Sequence, residues 1–324
     1  MTKKTRLEKL PSLTEAEKLI SAKLRAHVVM LAGMIGARSL TDCPEGLDRA
    51  GKYIEQVFSE MSHRRSQQDF MCDVPRSPYA PATILGVADR VCTRNFIAEL
   101  KGTKYTQDVI ILGAHYDAVA NCPGANDNGS GVAAMLELAR LLQNFESERT
   151  IRFVAFANEE QPFFGTDGWG AKQYAELCRE RKENIVAMVS LETMGYFTDQ
   201  PGTQSFPHDV MGLVFPKQGD YITFVSNIQS RRLLNRFTQL FKGATQFPCE
   251  KVALPESVRG VAYSDHAAFW NLGYPAIMAT DTAFFRYPQY HTAEDTPDRL
   301  NYDHIARVVS GMAAVVKQLA NGKV

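Results

Sequence analysis

None of the six cysteines (Cys43, Cys72, Cys92, Cys122, Cys178 and Cys249) forms a C-x-x-C pair, which argues against a cysteine-based zinc finger and leaves no disulfide framework apparent. No run approaches the roughly 20 apolar residues that a bilayer-spanning helix needs, so a membrane-spanning protein is excluded. Neither sign of charge is in excess: 36 Lys and Arg balance 36 Asp and Glu. No field exists to draw in nucleic acid or an anionic membrane. The basic start Met1-Thr2-Lys3-Lys4-Thr5-Arg6 is not followed by the apolar segment and small-residue cleavage site of a signal peptide. The expected setting is cytoplasmic and reduced, with neither nucleic acid nor membrane as a partner. Core-forming material is ample, at 324 residues, 45% hydrophobic and 22% charged.

Neither an internal repeat nor a low-complexity linker divides the chain, and a single unit over 1–324 is expected. Residues 13–33 and 48–61 are helix formers with apolar positions at helical spacing, separated by the turn-like Asp42-Cys43-Pro44-Glu45-Gly46; amino-terminal helices within 1–65 should pack on the rest. Strands are expected near 68–72, 95–100, 109–114, 151–157, 185–191 and 274–280. Between them Val132, Met135, Leu136, Ala139 and Leu142 mark one face of a core-packed helix after Ser130, a candidate N-cap. Further helices are expected at 166–177, 230–241 and 302–319. The alternation predicts an α/β fold of three layers, a mixed, mostly parallel sheet with helices on both faces. Residues 197–220 lack periodicity and are rich in Pro, Gly and polar side chains, which places a loop-rich excursion at 197–228.

The chemistry concentrates at the carboxyl ends of the strands, where open α/β sheets place ligands. The apolar run Val109-Ile110-Ile111-Leu112-Gly113-Ala114 delivers His115-Tyr116-Asp117, and Gly124-Ala125-Asn126-Asp127-Asn128-Gly129-Ser130-Gly131 follows. The next strand gives Asn158-Glu159-Glu160, the third gives Glu192, and a late loop gives Tyr290-His291. Taken singly, each has a plain reading: a hydrogen-bonded His–Asp pair, a solvated helix start, a turn and cap. Their recurrence at successive strand ends is not explained that way. Imidazoles and carboxylates are zinc donors, and His115, Asp127, Glu160, Glu192 and His291 are too many for one tetrahedral ion with an open position; they suit two ions bridged by one carboxylate.

In this order the motifs resemble the co-catalytic dizinc aminopeptidase family, a zinc-peptidase-like fold that also includes glutaminyl cyclases. The resemblance covers about residue 95 to the carboxyl terminus and extends to Ser264-Asp265-His266-Ala267-Ala268-Phe269-Trp270 and Thr292-Ala293-Glu294-Asp295. It implies that Asp127 bridges two zinc ions, with His115 and Glu192 completing one ligand set and Glu160 and His291 the other. It further implies that Asp117 orients the His115 ring, that Glu159 is the general base toward the attacking water, and that Tyr290 donates to the developing oxyanion. The implied substrate is a peptide with a free amino terminus. Where better-known members carry Asp, this chain carries Glu192. Glutaminyl cyclases use a single zinc, so cyclization of an amino-terminal Gln with one ion is the alternative, and a non-catalytic metal-binding or interaction protein is a third. Phe269, Trp270, Phe284, Phe285 and Tyr290 are candidate walls for an apolar first residue. Arg286 is a candidate partner for a substrate carboxylate.

Overall fold

The computed structural model describes residues 6–76 and 86–322. Eight strands form one mixed sheet in the spatial order β1 (Arg64–Pro75), β2 (Val87–Leu100), β4 (Arg149–Phe156), β3 (Tyr105–His115), β5 (Asn184–Glu192), β8 (Ala276–Thr280), β6 (Ile222–Ser226) and β7 (Cys249–Ala253). The central strands β4, β3, β5 and β8 are parallel. Antiparallel joints lie on either side, β1 with β2 and β2 with β4 on one, β8 with β6 on the other.

The all-buried run of β3 explains its central place, because it faces two cores at once. Ile110, Leu112 and Ala114 join a core shared with α1 (Glu15–Val28), α3 (Gly131–Leu142), α5 (Arg231–Ala244) and α7 (Tyr302–Asn321). Val109 and Ile111 point the other way, into a core with Phe156, Trp169, Tyr174 and Phe269, which belong to or flank α4 (Gly170–Glu180) and α6 (His266–Trp270). Each fully buried Ile, Leu or Val stabilises by roughly 1.5–3 kcal/mol, so the buried stretch from Val109 to Ala114 holds no polar side chain. The expected three layers are present.

Several boundaries differ from the sequence-based expectation for local reasons. α2 (Pro44–Ser59) takes in most of the expected turn, because Pro44 sits at the first helical position, where its missing N–H is no loss. The first helix starts on a capping box: Thr14 Oγ1 accepts from Glu17 N at 3.2 Å while Glu17 Oε2 accepts from Thr14 N at 2.8 Å. It then continues as a π-helical segment, Val29–Ile35, closed by Gly36 at φ 76°. The excursion ends at Asp220, not 228, since β6 is a fully buried strand; its only regular element is a 3₁₀ turn, Asp209–Leu213. β2 meets β4 only along Phe96–Leu100 while β1 follows it from Val87, so β1 and β2 continue past the carboxyl end of β4 as a two-stranded ribbon. Among the described residues no helix is long and apolar enough to cross a membrane.

Candidate metal centre

The carboxyl ends of β3, β4 and β5 bring their polar residues to one point. His115 Nε2 lies 3.3 Å from Asp127 Oδ1, 3.3 Å from Glu192 Oε2 and 3.9 Å from Glu159 Oε2. His291 Nε2 lies 3.0 Å from Asp127 Oδ2 and 3.4 Å from Glu160 Oε1. Asp127 thus offers one oxygen to each imidazole. Two donor groups follow, His115–Asp127–Glu192 and Asp127–Glu160–His291, each with donor atoms within 4.8 Å of one another, and a third, His115–Glu159–Glu160, lies across them. All of these side chains are buried except His291, which is 35% exposed.

The backbone is bent to present them. Asn158, Thr193 and His291 occupy the left-handed region at φ 57°, 45° and 58°, just before Glu159, just after Glu192 and at one of the clustered imidazoles. Such conformations cost an L-residue free energy and persist only where surrounding contacts hold them. Those contacts are present. Asp117 accepts from Glu159 N and Glu160 N at 3.0 Å each, and its Oδ1 lies 3.3 Å from His115 Nδ1. Asp295 accepts from Asn126 N and Asp127 N, at 2.8 and 3.1 Å. Asn126 donates through Nδ2 to Asp281 and accepts from Gly195 N, tying the loop before α3 to the segment after β5. From the amino-terminal side, Arg38 is fully buried and donates to the carbonyls of Gly36, Tyr116, Pro123 and Gly124. Gly124 itself is left-handed, at φ 60°, and a Cβ there would lie 2.3 Å from Asp127 O and 2.9 Å from an Arg38 nitrogen.

The site is overloaded with negative charge. Burial pushes Glu192 up to about 8 against the pull of His115 and raises Glu159 well above the usual carboxylate range. Burial also raises Glu160, with Asp127 adding to it. Asp127 escapes: burial opposes its ionisation, but the close imidazoles of His115 and His291 hold it low. Desolvation lowers both imidazoles, yet they are driven up, His115 by Glu192 and Glu159, His291 to about 11 by Glu160 and Asp127. Among the described residues no arginine hydrogen-bonds to these carboxylates: Arg38 and Arg286, both buried nearby, donate to carbonyl oxygens instead. Among the described residues His115 Nε2, Asp127 Oδ1 and Glu160 Oε1 are buried without a hydrogen-bond partner. Buried charges need a compensating charge, and nitrogen and carboxylate donors left open toward one another fit a divalent metal such as zinc.

All eight sequence-predicted site residues converge. Tyr290 stacks on His291, with ring centroids 3.8 Å apart at 16°, and together with Glu192 it borders an apolar cavity of about 770 Å³ including its mouth. Phe206, Met211, Phe215, Val252, Met278 and Phe284 form much of the wall. Of the aromatic candidates, Phe284, Phe285 and Tyr290 line this cavity, whereas Phe269 and Trp270 belong to the core beneath the sheet. Arg286 faces no substrate space: it is buried and donates to Gln204 Oε1 at 2.7 Å and Tyr221 O at 2.7 Å, fastening the base of the excursion. Ser130 is not a cap either. Its φ of −69° is helical, and its hydroxyl donates to Asn126 O while accepting from Met194 N, 2.7 Å in each case. Asn126, Asp281 and Arg38 were missed. For Asp281 the signal existed, a carboxylate directly after an apolar strand, as at Glu192.

Comparison with known proteins follows the same lines. Residues 95–316 match the sequence profile of Peptidase family M28. An uncharacterized Escherichia coli (strain K12) protein, YfbL, is 34% identical over 309 residues, covering 93% of this chain and 88% of YfbL. A zinc aminopeptidase from Bacillus subtilis has a similar fold, with a TM-score of 0.67 at 17% identity over 94% of this chain and 96% of its own. So does a glutaminyl cyclase from Fimbriiglobus ruber, with a TM-score of 0.67 at 20% identity over 95% and 98%.

Proposed function

This chain belongs to peptidase family M28, and on that footing we propose that it is a zinc-dependent aminopeptidase, removing the first residue of peptides with a free amino terminus. His115, Asp127 and Glu192 would hold one zinc, and Asp127, Glu160 and His291 a second. Bound zinc supplies Lewis acidity toward the scissile carbonyl and makes water a competent nucleophile near neutral pH. Glu159, next to a ligand and 3.9 Å from His115 Nε2, takes a proton from the attacking water and returns it to the departing amine nitrogen. Burial suits it to this task by raising its proton affinity above that of an ordinary carboxylate. The Tyr290 hydroxyl donates to the oxygen that gains charge. Glu159 and Glu192 receive the α-ammonium group, and the cavity takes an apolar first side chain.

The observation that carries this reading is the pair of donor groups sharing Asp127 with Glu159 beside them. Glu159→Gln should retain bound zinc by elemental analysis while losing about 10²–10⁴-fold in kcat on a leucyl-anilide, the range of a general base. Activity that survives both this change and a chelator refutes the mechanism. Cyclization of amino-terminal Gln is the second reading, favoured by Glu192 in place of Asp. The mostly apolar wall of the cavity suits a hydrophobic first side chain better than a glutamine amide, which favours peptide hydrolysis. Loss of ammonia from a Gln-peptide without cleavage would reverse that preference.

A further inference from the structure

We propose that Arg259, at the exposed rim of the apolar cavity whose interior takes the first side chain, binds the terminal carboxylate of the substrate where the peptide leaves along that rim, and so selects short peptides; this rests on the aminopeptidase reading above. Three charged side chains line the cavity. Glu192 belongs to the metal cluster, and Glu250 is paired with Arg6 at 3.5 Å. Arg259 is exposed, and among the described residues its guanidinium meets no carboxylate. It is held in place by aromatic faces instead, its Cζ 4.8 Å from the Phe284 ring centroid and 5.9 Å from that of Phe285. Gly260 makes this contact possible: at φ +85° a Cβ would lie 2.9 Å from the Phe285 ring and 3.3 Å from Phe284. Stacking occupies the face of a guanidinium and leaves its edge donors free, the geometry that takes a carboxylate in two parallel hydrogen bonds.

A chain of ring contacts leads from Arg259 to the metal cluster and bounds the peptide length from above. From Arg259 the stack continues through Phe284 to Tyr290 at 5.6 Å and on to His291 at 3.8 Å. An extended peptide advances roughly 3.3–3.6 Å per residue, so a carboxylate two to four residues from the reacting bond reaches the guanidinium. Longer peptides place that carboxylate beyond it.

Binding to the zinc-loaded Glu159→Gln protein, measured by calorimetry, tests the proposal without turnover. The probes are Leu-Gly-Gly, Leu-Gly-Gly-amide and Leu-Gly-Glu-amide. The free acid should bind at least tenfold more tightly than its amide, and Arg259→Met, which keeps the apolar contact with Phe284, should erase the difference. Equal affinities for acid and amide, or a preference that survives Arg259→Met, overturn it. So does Leu-Gly-Glu-amide binding as tightly as the free acid, since the site would then read an acidic side chain. Turnover of leucyl-anilide by the unaltered protein separately tests the aminopeptidase reading, and its failure leaves the binding comparison decisive for Arg259.

Discussion

Replacing Arg38 by Met should weaken both the fold and the metal centre, by amounts that follow from its surroundings. The guanidinium is buried and donates to Tyr116 O at 2.8 Å, Gly124 O at 2.6 Å and Gly36 O at 3.3 Å, and also to Pro123 O. Arg38 O in turn accepts from Ala118 N at 3.0 Å, so the residue grips both ends of the 116–124 loop. Each buried carbonyl left without a donor costs about 1–3 kcal/mol, and three of the four have no replacement nearby. Relief from burying a cation offsets part of this, since that desolvation amounts to several kcal/mol and already lowers the Arg38 pKa. The expected net loss is about 3 kcal/mol. For a chain longer than 250 residues, roughly 2 °C per kcal/mol puts the fall in Tm near 6 °C. Because the loop runs from Asp117 toward Asp127, zinc affinity should fall about 10–100-fold, as for other residues that hold ligands in place. Thermal unfolding of chelated protein gives the first quantity, and competition with a chromophoric chelator gives the second. A stability loss below about 1 kcal/mol, or unchanged zinc affinity in a destabilised protein, refutes the reasoning; Arg38→Lys, with one compact donor group, should recover only part of each.

Removing zinc should lower Tm and adding it should raise Tm with the logarithm of free zinc, because the metal-free site leaves carboxylates facing one another; a Tm indifferent to zinc contradicts the fit. Gly131→Ala should destabilise by about 1–3 kcal/mol or more, because the new Cβ would lie 2.2 Å from Leu191 O and 2.3 Å from Asn128 Oδ1; denaturant unfolding at wild-type midpoint would contradict this. His304, held at about 4 by burial and the charge of Arg307, should shape acid stability. Unfolding restores a pKa near 6.5, so the stability it contributes is complete above about pH 6.5 and is lost as pH falls toward 4. His304→Phe, which can stay packed between Phe197 and Phe247, should flatten that limb of the pH profile, and an unchanged slope would assign it elsewhere.

The central strands and the cluster of donor side chains were readable because one physical rule governs both. A strand buried on two faces must be apolar throughout, so His115 and Glu192 stand out where such runs end. β6 and β7 escaped notice because each is a run of only five residues, β7 with Glu250 and Lys251 inside it. What supports the site was harder to read. Ser130 has a cap's identity, but its hydroxyl serves Asn126 and Met194, a partner 64 positions away. Arg286 has the chemistry of a substrate clamp, yet Gln204 and Tyr221 enclose it. Such roles are set by tertiary neighbours. Local residue preferences carry no trace of them.

The apolar cavity and the donor cluster draw on different parts of the chain. The donors come from the last residues of β3 and β5, from the segments after β3 and β4 and from the loop bearing His291, whereas much of the wall comes from β6, β7 and residues 204–215 of the excursion. Glu192 alone belongs to both sets. Substitutions in the wall can therefore accumulate during divergence without moving a donor atom. Relatives with the same metal chemistry can differ widely in the side chain they accept, and the excursion is where that divergence should be sought first.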